Sequence, residues 1–201
     1  MAKPNWLIVD PMSGSGNGSI SNSASVHTGR VAREGIVTVT GIGCDPVTYK
    51  VVQTPKAEFV VFNNGSEMAA NKQEGNVTIA GKSNAAKLNF SFVGDAHNVV
   101  LPESYQAAGK ATVNNVAIEG DPGASSEYDF SIVLALPAND TVEEVNRTIL
   151  VSSENGESAQ IVIKQAAGDA RLSVSPTEIV LDQLGTAVSV SVASNTNWSV
   201  S

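Results

Sequence analysis

One ending occurs twice in this chain. Arg33 opens the run EGIVTVTG, which passes through a loop into VTYKVVQTPK up to Lys56; Arg147 opens TILVSSENG, which passes into AQIVIKQAAG up to Gly168. In each copy two alternating apolar runs flank a Gly-containing turn, and the second run closes on a glutamine, Gln53 or Gln165. Alternation with period two puts apolar side chains on one face of a strand, so each ending reads as a β-hairpin. A supersecondary unit that recurs along a chain marks a repeated module. The chain is therefore read as tandem β-domains.

Composition agrees with that reading. The 201 residues are 42% hydrophobic, enough for one large or two small packed cores. Val and Ile dominate the apolar positions, with Ser, Thr, Asn and Gly between them, as expected of strands joined by tight turns. Helical periodicity is sustained nowhere for three turns; Asp140 to Asn146 comes nearest and is expected to give a short helical turn.

The pattern divides the chain into three parts. Residues 1–56 carry the first copy of the closing hairpin, Ile36 to Val52, preceded by a strand at Trp6 to Val9. The Gly/Ser/Asn tract from Asp10 to Arg30 reads either as a flexible linker or, because Ile20 to Val26 alternates weakly, as an edge strand between long turns. Residues 57–168 read as a complete module. Its strands are expected at Glu58 to Phe62, Asn76 to Ala80, Lys87 to Phe92, Asn98 to Leu101, Thr112 to Ile118, Tyr128 to Leu136, Arg147 to Ser152 and Gln160 to Lys164. About seven or eight short strands with turns at such spacing favour a two-layer sandwich over a closed barrel. Residues 169–201 begin the pattern again: Val188 to Ser194 followed by Asn195 lines up with Val77 to Ser83 followed by Asn84. A third module starts there with roughly three strands and, up to Ser201, no closing hairpin.

Charge and chemistry narrow the function. Twelve Lys plus Arg against twenty Asp plus Glu give a net charge of −8, and the scattered basic residues form no phosphate-binding cluster, so nucleic acid is not an expected partner. The single Cys44 allows no intrachain disulfide. The apolar start at Trp6 to Val9, broken by Asp10 and Pro11, is too brief for a signal-peptide core or a membrane span, so no membrane is expected and the chain is placed in a cytoplasm or in a particle assembled there.

No catalytic, cofactor or metal site is expected. His27 and His97 read as turn histidines, and no zinc site of ordinary spacing includes them. Cys44 sits in a hairpin loop beside Asp45, the wrong charge for an activated thiolate. Glu143 and Glu144, and Glu119 to Asp121, read as solvated faces because adjacency does not oppose two carboxylates across a cleft. Glu119 to Gly123 lacks the alternating acidic spacing of a calcium loop, and the SGSGNG tract at 13–18 lacks the Lys-Ser/Thr ending of a phosphate loop. The triplets at Asn76 and Asn146 read as strand residues rather than glycosylation sites.

In its order of motifs the chain resembles the Ig-like BACON domains of Bacteroidetes surface proteins and of virion proteins of crAss-like bacteriophages. The matching elements are Leu172-Ser173-Val174-Ser175-Pro176, then Asn195-Thr196-Asn197-Trp198, then Trp6-Leu7 running into Pro11 to Gly18, then Arg33, and finally Val51-Val52-Gln53. The resemblance implies that Trp6 and Trp198 pack in a core, which weakens a sugar-binding reading and leaves Tyr49, Tyr105 and Tyr128 as the aromatics to test for it. It also implies that the chain carries the second half of a module at its start and the first half at its end. A half sandwich exposes apolar faces and strand edges. Three outcomes follow: the two ends close on each other within one chain, the C-terminal half completes the N-terminal half of another subunit, or the last segment packs as a partial tail on its neighbour.

The expectation is thus an all-β protein of tandem Ig-like sandwich modules with permuted or shared terminal halves. It acts without catalysis as an auxiliary capsid, decoration or head-fibre component of a phage virion, contacting other virion proteins and itself. The alternative is a carbohydrate-binding module of a Bacteroidetes surface protein, with a glycan as ligand.

Overall fold

The computed structural model describes residues 3–201 and is all-β. Its centre is a two-layer Ig-like sandwich. One sheet has five strands: β5 (Val60–Phe62), β7 (Gly75–Ser83), β9 (Ser104–Ala107), β10 (Lys110–Val113) and β11 (Tyr128–Leu136), in the order β10-β9-β11-β7-β5. The other has four: β6 (Glu67–Ala70), β8 (Leu88–Val93), β12 (Val145–Ser153) and β13 (Ser158–Gln165), in the order β6-β13-β12-β8. β6 adds to β13 in parallel, and the remaining pairs are antiparallel. Alternation decides which side chains meet between the layers. Ile79, Phe130, Ile132 and Leu134 from one sheet close on Leu88, Phe90, Ile149, Val151, Ile161 and Ile163 from the other, all buried. Phe90 packs edge to face against Tyr105 and Phe130, with ring centroids 4.9 and 5.8 Å apart.

The N-terminal part is two small sheets: β1 (Leu7–Asp10) with β2 (Ser21–Ala24), and β3 (Arg33–Val39) with β4 (Val47–Gln53). Leu7 and Val9 of β1 pack on Val37 of β3, flanked by Trp6, Tyr49 and Val51. Within the Ser/Asn tract the strand reading holds, since Ser21 to Ala24 pair with Asp10 to Leu7. The C-terminal part is one further pair, β14 (Leu172–Ser175) with β15 (Ser191–Ser194). This pair shares no sheet with β1 to β4, so the two ends do not close on each other within the single chain.

Four sequence expectations need correction. Asp140 to Asn146 is not helical; the helical turn among the described residues is α1 (Pro122–Ser125), where Pro122 supplies the fixed φ of a first helical position. Asn98 to Leu101 is not a strand, because His97 and Asn98 both turn through positive φ and Pro102 has no N–H to donate. In the expected strand Thr112 to Ile118, pairing stops at Val113, and a turn closed by Val116 N–H on the Val113 carbonyl follows. The last segment holds two strands where roughly three were expected.

Candidate functional site

The polar side chains of this chain converge at the two places where one module meets the next. At the first junction, Asn84 is fully buried just after β7. Its Nδ2 donates to the carbonyls of Thr28 at 3.1 Å and Ala57 at 3.2 Å, and its Oδ1 accepts the Phe59 N–H at 3.0 Å. Ser83 beside it donates to the Phe59 carbonyl at 2.8 Å and accepts the Ala85 N–H at 3.0 Å. One Ser-Asn pair therefore fixes the connecting segment and reaches across to the preceding module. Ser83 and Asn84 are themselves fully buried, so leaving either side chain unpaired is costly.

The second junction repeats this arrangement bond for bond. Asn195 Nδ2 donates to the carbonyls of Asp140 at 2.8 Å and Asp169 at 2.9 Å, while its Oδ1 accepts the Arg171 N–H at 2.9 Å. Ser194 donates to the Arg171 carbonyl at 3.1 Å and accepts the Thr196 N–H at 3.0 Å. The backbone repeats as well: Lys56 N–H donates to Gly29 at 2.9 Å, and Gly168 N–H donates to Thr141 at 2.6 Å. The doubled glutamine has the same part in both modules. Gln53 Nε2 donates to the Ser25 carbonyl at 2.9 Å and Gln165 Nε2 to the Pro137 carbonyl at 2.8 Å, while their Oε1 atoms accept from Arg33 and Arg147, each at 2.8 Å.

The first junction has additional charged contacts. Arg30 grips Asp121 with two parallel bonds of 2.6 and 2.5 Å and also donates to the Asn84 carbonyl at 3.2 Å. The Arg30 and Val31 N–H groups donate to the carbonyls of Gly123 and Ala124 in α1, at 2.9 and 3.1 Å. Such closeness requires glycine: a Cβ on Gly29 would stand 2.4 Å from the Ala124 oxygen, and one on Gly123 2.1 Å from the Asn84 oxygen. Glu127 receives Lys56 and Lys82 at 3.3 and 3.2 Å, and its N–H donates to Thr28 Oγ1 at 3.0 Å. Chiefly through the hydrogen bond from Arg30, the Asp121 carboxyl is held below the usual carboxylate range; Glu127 is lowered chiefly by the hydrogen bond from Lys82.

The residues weighed for chemistry remain apart. His27 hydrogen-bonds the Val31 carbonyl at 2.7 Å, and His97 sits in a positive-φ turn. Cys44 is exposed in the β3–β4 loop. Glu143 and Glu144 are exposed, and Glu119 pairs with Lys110 at 3.4 Å. Among the described residues no group of three His, Cys, Asp or Glu side chains converges on a common point, and no helix is long and apolar enough to cross a membrane. Two surface depressions of about 250 Å³ contain one carboxylate each, Glu119 in one and Glu154 in the other, and neither borders His97. Glu154 caps the Ala86 and Lys87 N–H groups at 3.0 and 3.2 Å.

Of the aromatics, Trp198 departs from the expected core position. Tyr105 and Tyr128 are buried, with Tyr128 donating to the Ala85 carbonyl at 3.0 Å, and Tyr49 is half-buried and donates to Asn22 at 2.9 Å. Trp6 is half-buried with the Arg33 guanidinium 4.6 Å from its ring centroid, whereas Trp198 is 53% exposed. Trp198 lies just past β15, where β14 and β15 have no second layer to cover it.

No family model matches the chain, and no curated protein matches it. Among solved structures, a Bacteroides ovatus GH5 xyloglucanase in complex with a XXXG heptasaccharide is similar over 64% of this chain and 22% of its own, at 14% identity and a TM-score of 0.31. A protein from Bacteroides thetaiotaomicron solved by NMR is similar over 54% of this chain and 85% of its own, at 17% identity and a TM-score of 0.28. Cadherin-like domains 1 to 4 of zebrafish RET are similar over 71% of this chain and 35% of theirs, at 11% identity and a TM-score of 0.35. The chain thus spans about a fifth of the length of the xyloglucanase chain.

Proposed function

We propose that this chain is a non-enzymatic structural component of a bacteriophage virion, an auxiliary capsid, decoration or head-fibre protein of the BACON type, working by holding Ig-like sandwiches in a fixed tandem order. The observation that carries the reading is the Ser-Asn clamp, built at two successive junctions from matching atoms. Modules on an unclamped linker move relative to one another by default. A side-chain clamp repeated at two junctions, with its carboxamide fully buried at the first, serves a protein whose output is spacing and orientation. Its partners are other virion proteins and further copies of itself.

The reading is tested by immunogold electron microscopy with an antibody against residues 57–168. Labelling of purified phage particles is the expected result. Labelling of the surface of uninfected bacteria, with particles unlabelled and micromolar binding on a glycan array, would replace it with the carbohydrate-binding role.

A further inference from the structure

A strand at the edge of a sheet presents unpaired N–H and C=O groups to any extended segment that meets it. The middle module has four such edges, β10 and β5 on one sheet and β6 and β8 on the other. Three of them carry ordinary protection. β10 opens with Lys110, β6 is four residues long and holds the Glu67–Lys164 pair at 2.6 Å, and β5 is only three residues long. β8 has none of these features. Its six residues, Leu88-Asn89-Phe90-Ser91-Phe92-Val93, include two phenylalanines and neither a charge nor a proline, a composition that pairs readily with another strand.

What occupies the free edge of β8 is a single carboxamide. Asn114 Oδ1 accepts the Phe90 N–H at 2.6 Å, and its Nδ2 donates to the Phe90 carbonyl at 3.0 Å. Two directly opposed residues of an antiparallel ladder exchange these same two bonds, so the Asn114 side chain stands in for the backbone of a further strand. Backbone groups alternate in direction along a strand, so those of Asn89 and Ser91 turn toward β12 while those of Phe90 turn away from it. Asn114 belongs to a segment that follows the same edge. The Asn115 N–H donates to the Leu88 carbonyl at 2.9 Å, and the Ile118 N–H to the Ala86 carbonyl at 2.8 Å. That segment is no strand itself: Asn115 has a φ of +60°, and the Val116 N–H closes a turn on the Val113 carbonyl.

We propose that Asn114 is a block against strand addition at β8, and that the strand it excludes is β8 of a second copy of this chain. The partner follows from the strand's own sequence. Laid antiparallel against itself, β8 brings no like charges together, and Phe90 opposite Phe90 makes the two bonds that Asn114 now makes. Such a contact uses the same surface on both copies and closes after two. With Asn114 in place, the flank of the sandwich that ends in β8 stays out of any assembly the chain enters.

This inference is independent of the virion reading. Full-length Asn114→Ala is compared with the unmodified chain by hydrogen exchange and sedimentation, each at low and high concentration. In the unmodified chain the Phe90 amide should be equally protected at both. In Asn114→Ala it should exchange at least about tenfold faster when dilute and regain protection when concentrated, where the variant should sediment with one further copy attached. The amides of Ile149 and Ile161, paired between β12 and β13, should stay protected throughout and show that the module is folded. Adding Ser91→Lys to Asn114→Ala places a charge on the solvent face of the same edge. It should restore the sedimentation of the unmodified chain while Phe90 exchanges fast at both concentrations. If Asn114→Ala does not fold, Asn114→Ser, whose hydroxyl is too short to span both Phe90 groups, is measured in the same way. Phe90 exchange that the substitution leaves unchanged, fast exchange at every concentration without added association, or association that Ser91→Lys does not reverse overturns the proposal.

Discussion

Arg147 donates to the carboxamide oxygen of Gln165 at 2.8 Å inside the sandwich, and its remaining partners are the neutral carbonyls of Ala96 and His97 at 3.0 and 3.3 Å. The guanidinium is buried without a hydrogen-bonded carboxylate, and desolvation lowers its pKa although it stays charged. Its bonds tie the turn at residues 96–97 to the paired strands β12 and β13. Arg147→Ala should destabilise the middle module by about 2–4 kcal/mol in urea unfolding, because three acceptors lose their donor. Arg147→Lys should recover little of this, since an ammonium cannot span the same carbonyls.

Asn84 should matter to the junction as well as to the fold. Asn84→Ala strands the Phe59 N–H and two carbonyls, a cost of about 2–3 kcal/mol. Limited proteolysis should then cut within residues 54–59, where the unmodified chain resists, while the separated 57–168 fragment keeps its core.

Gly29 gives a steric test of the same junction. Gly29→Ala places a methyl carbon 2.4 Å from the Ala124 oxygen, which cannot be relieved without parting α1 from the Arg30 and Val31 N–H groups. Hydrogen exchange at those two amides should rise at least tenfold, with the amides of β12 and β13 unchanged.

The Arg30–Asp121 and Lys82–Glu127 contacts make the first junction sensitive to acid. Both carboxyls have folded pKa values below their unfolded ones, so the stabilisation is complete above the usual carboxylate range and is lost as pH falls through the lowered folded values. Arg30 and Lys82, both raised by these partners, stay protonated throughout. The stability difference between the unmodified chain and Asp121→Asn should be present near about pH 7 and vanish by about pH 2 in urea titrations.

Strong alternation made β7, β11, β12 and β13 legible in the sequence, and the doubled ending marked the tandem. β6 and β9 were not legible, because EMAA and SYQA lack the β-branched runs that distinguish a strand and form only against neighbours already in place. The Ser-Asn repeat was visible as a pattern, but its bonds to carbonyls in the preceding module were not. Arg30 and Asp121 lie 91 residues apart and carry no local signal of their pairing. Trp198 was expected in a core by resemblance; its exposure follows from having only β14 and β15 beside it.

The central claim is that successive modules are joined by the same clamp, and the Arg171 amide tests it most directly. Its N–H is exposed in every respect except for its bond to Asn195 Oδ1 at 2.9 Å. Hydrogen exchange followed by NMR should find Arg171 protected in the unmodified chain, like Phe59, and Asn195→Ala should release Arg171 alone while Asn84→Ala releases Phe59 alone. Exchange of Arg171 at the rate of a free peptide in the unmodified chain, with Phe59 protected, would contradict the account.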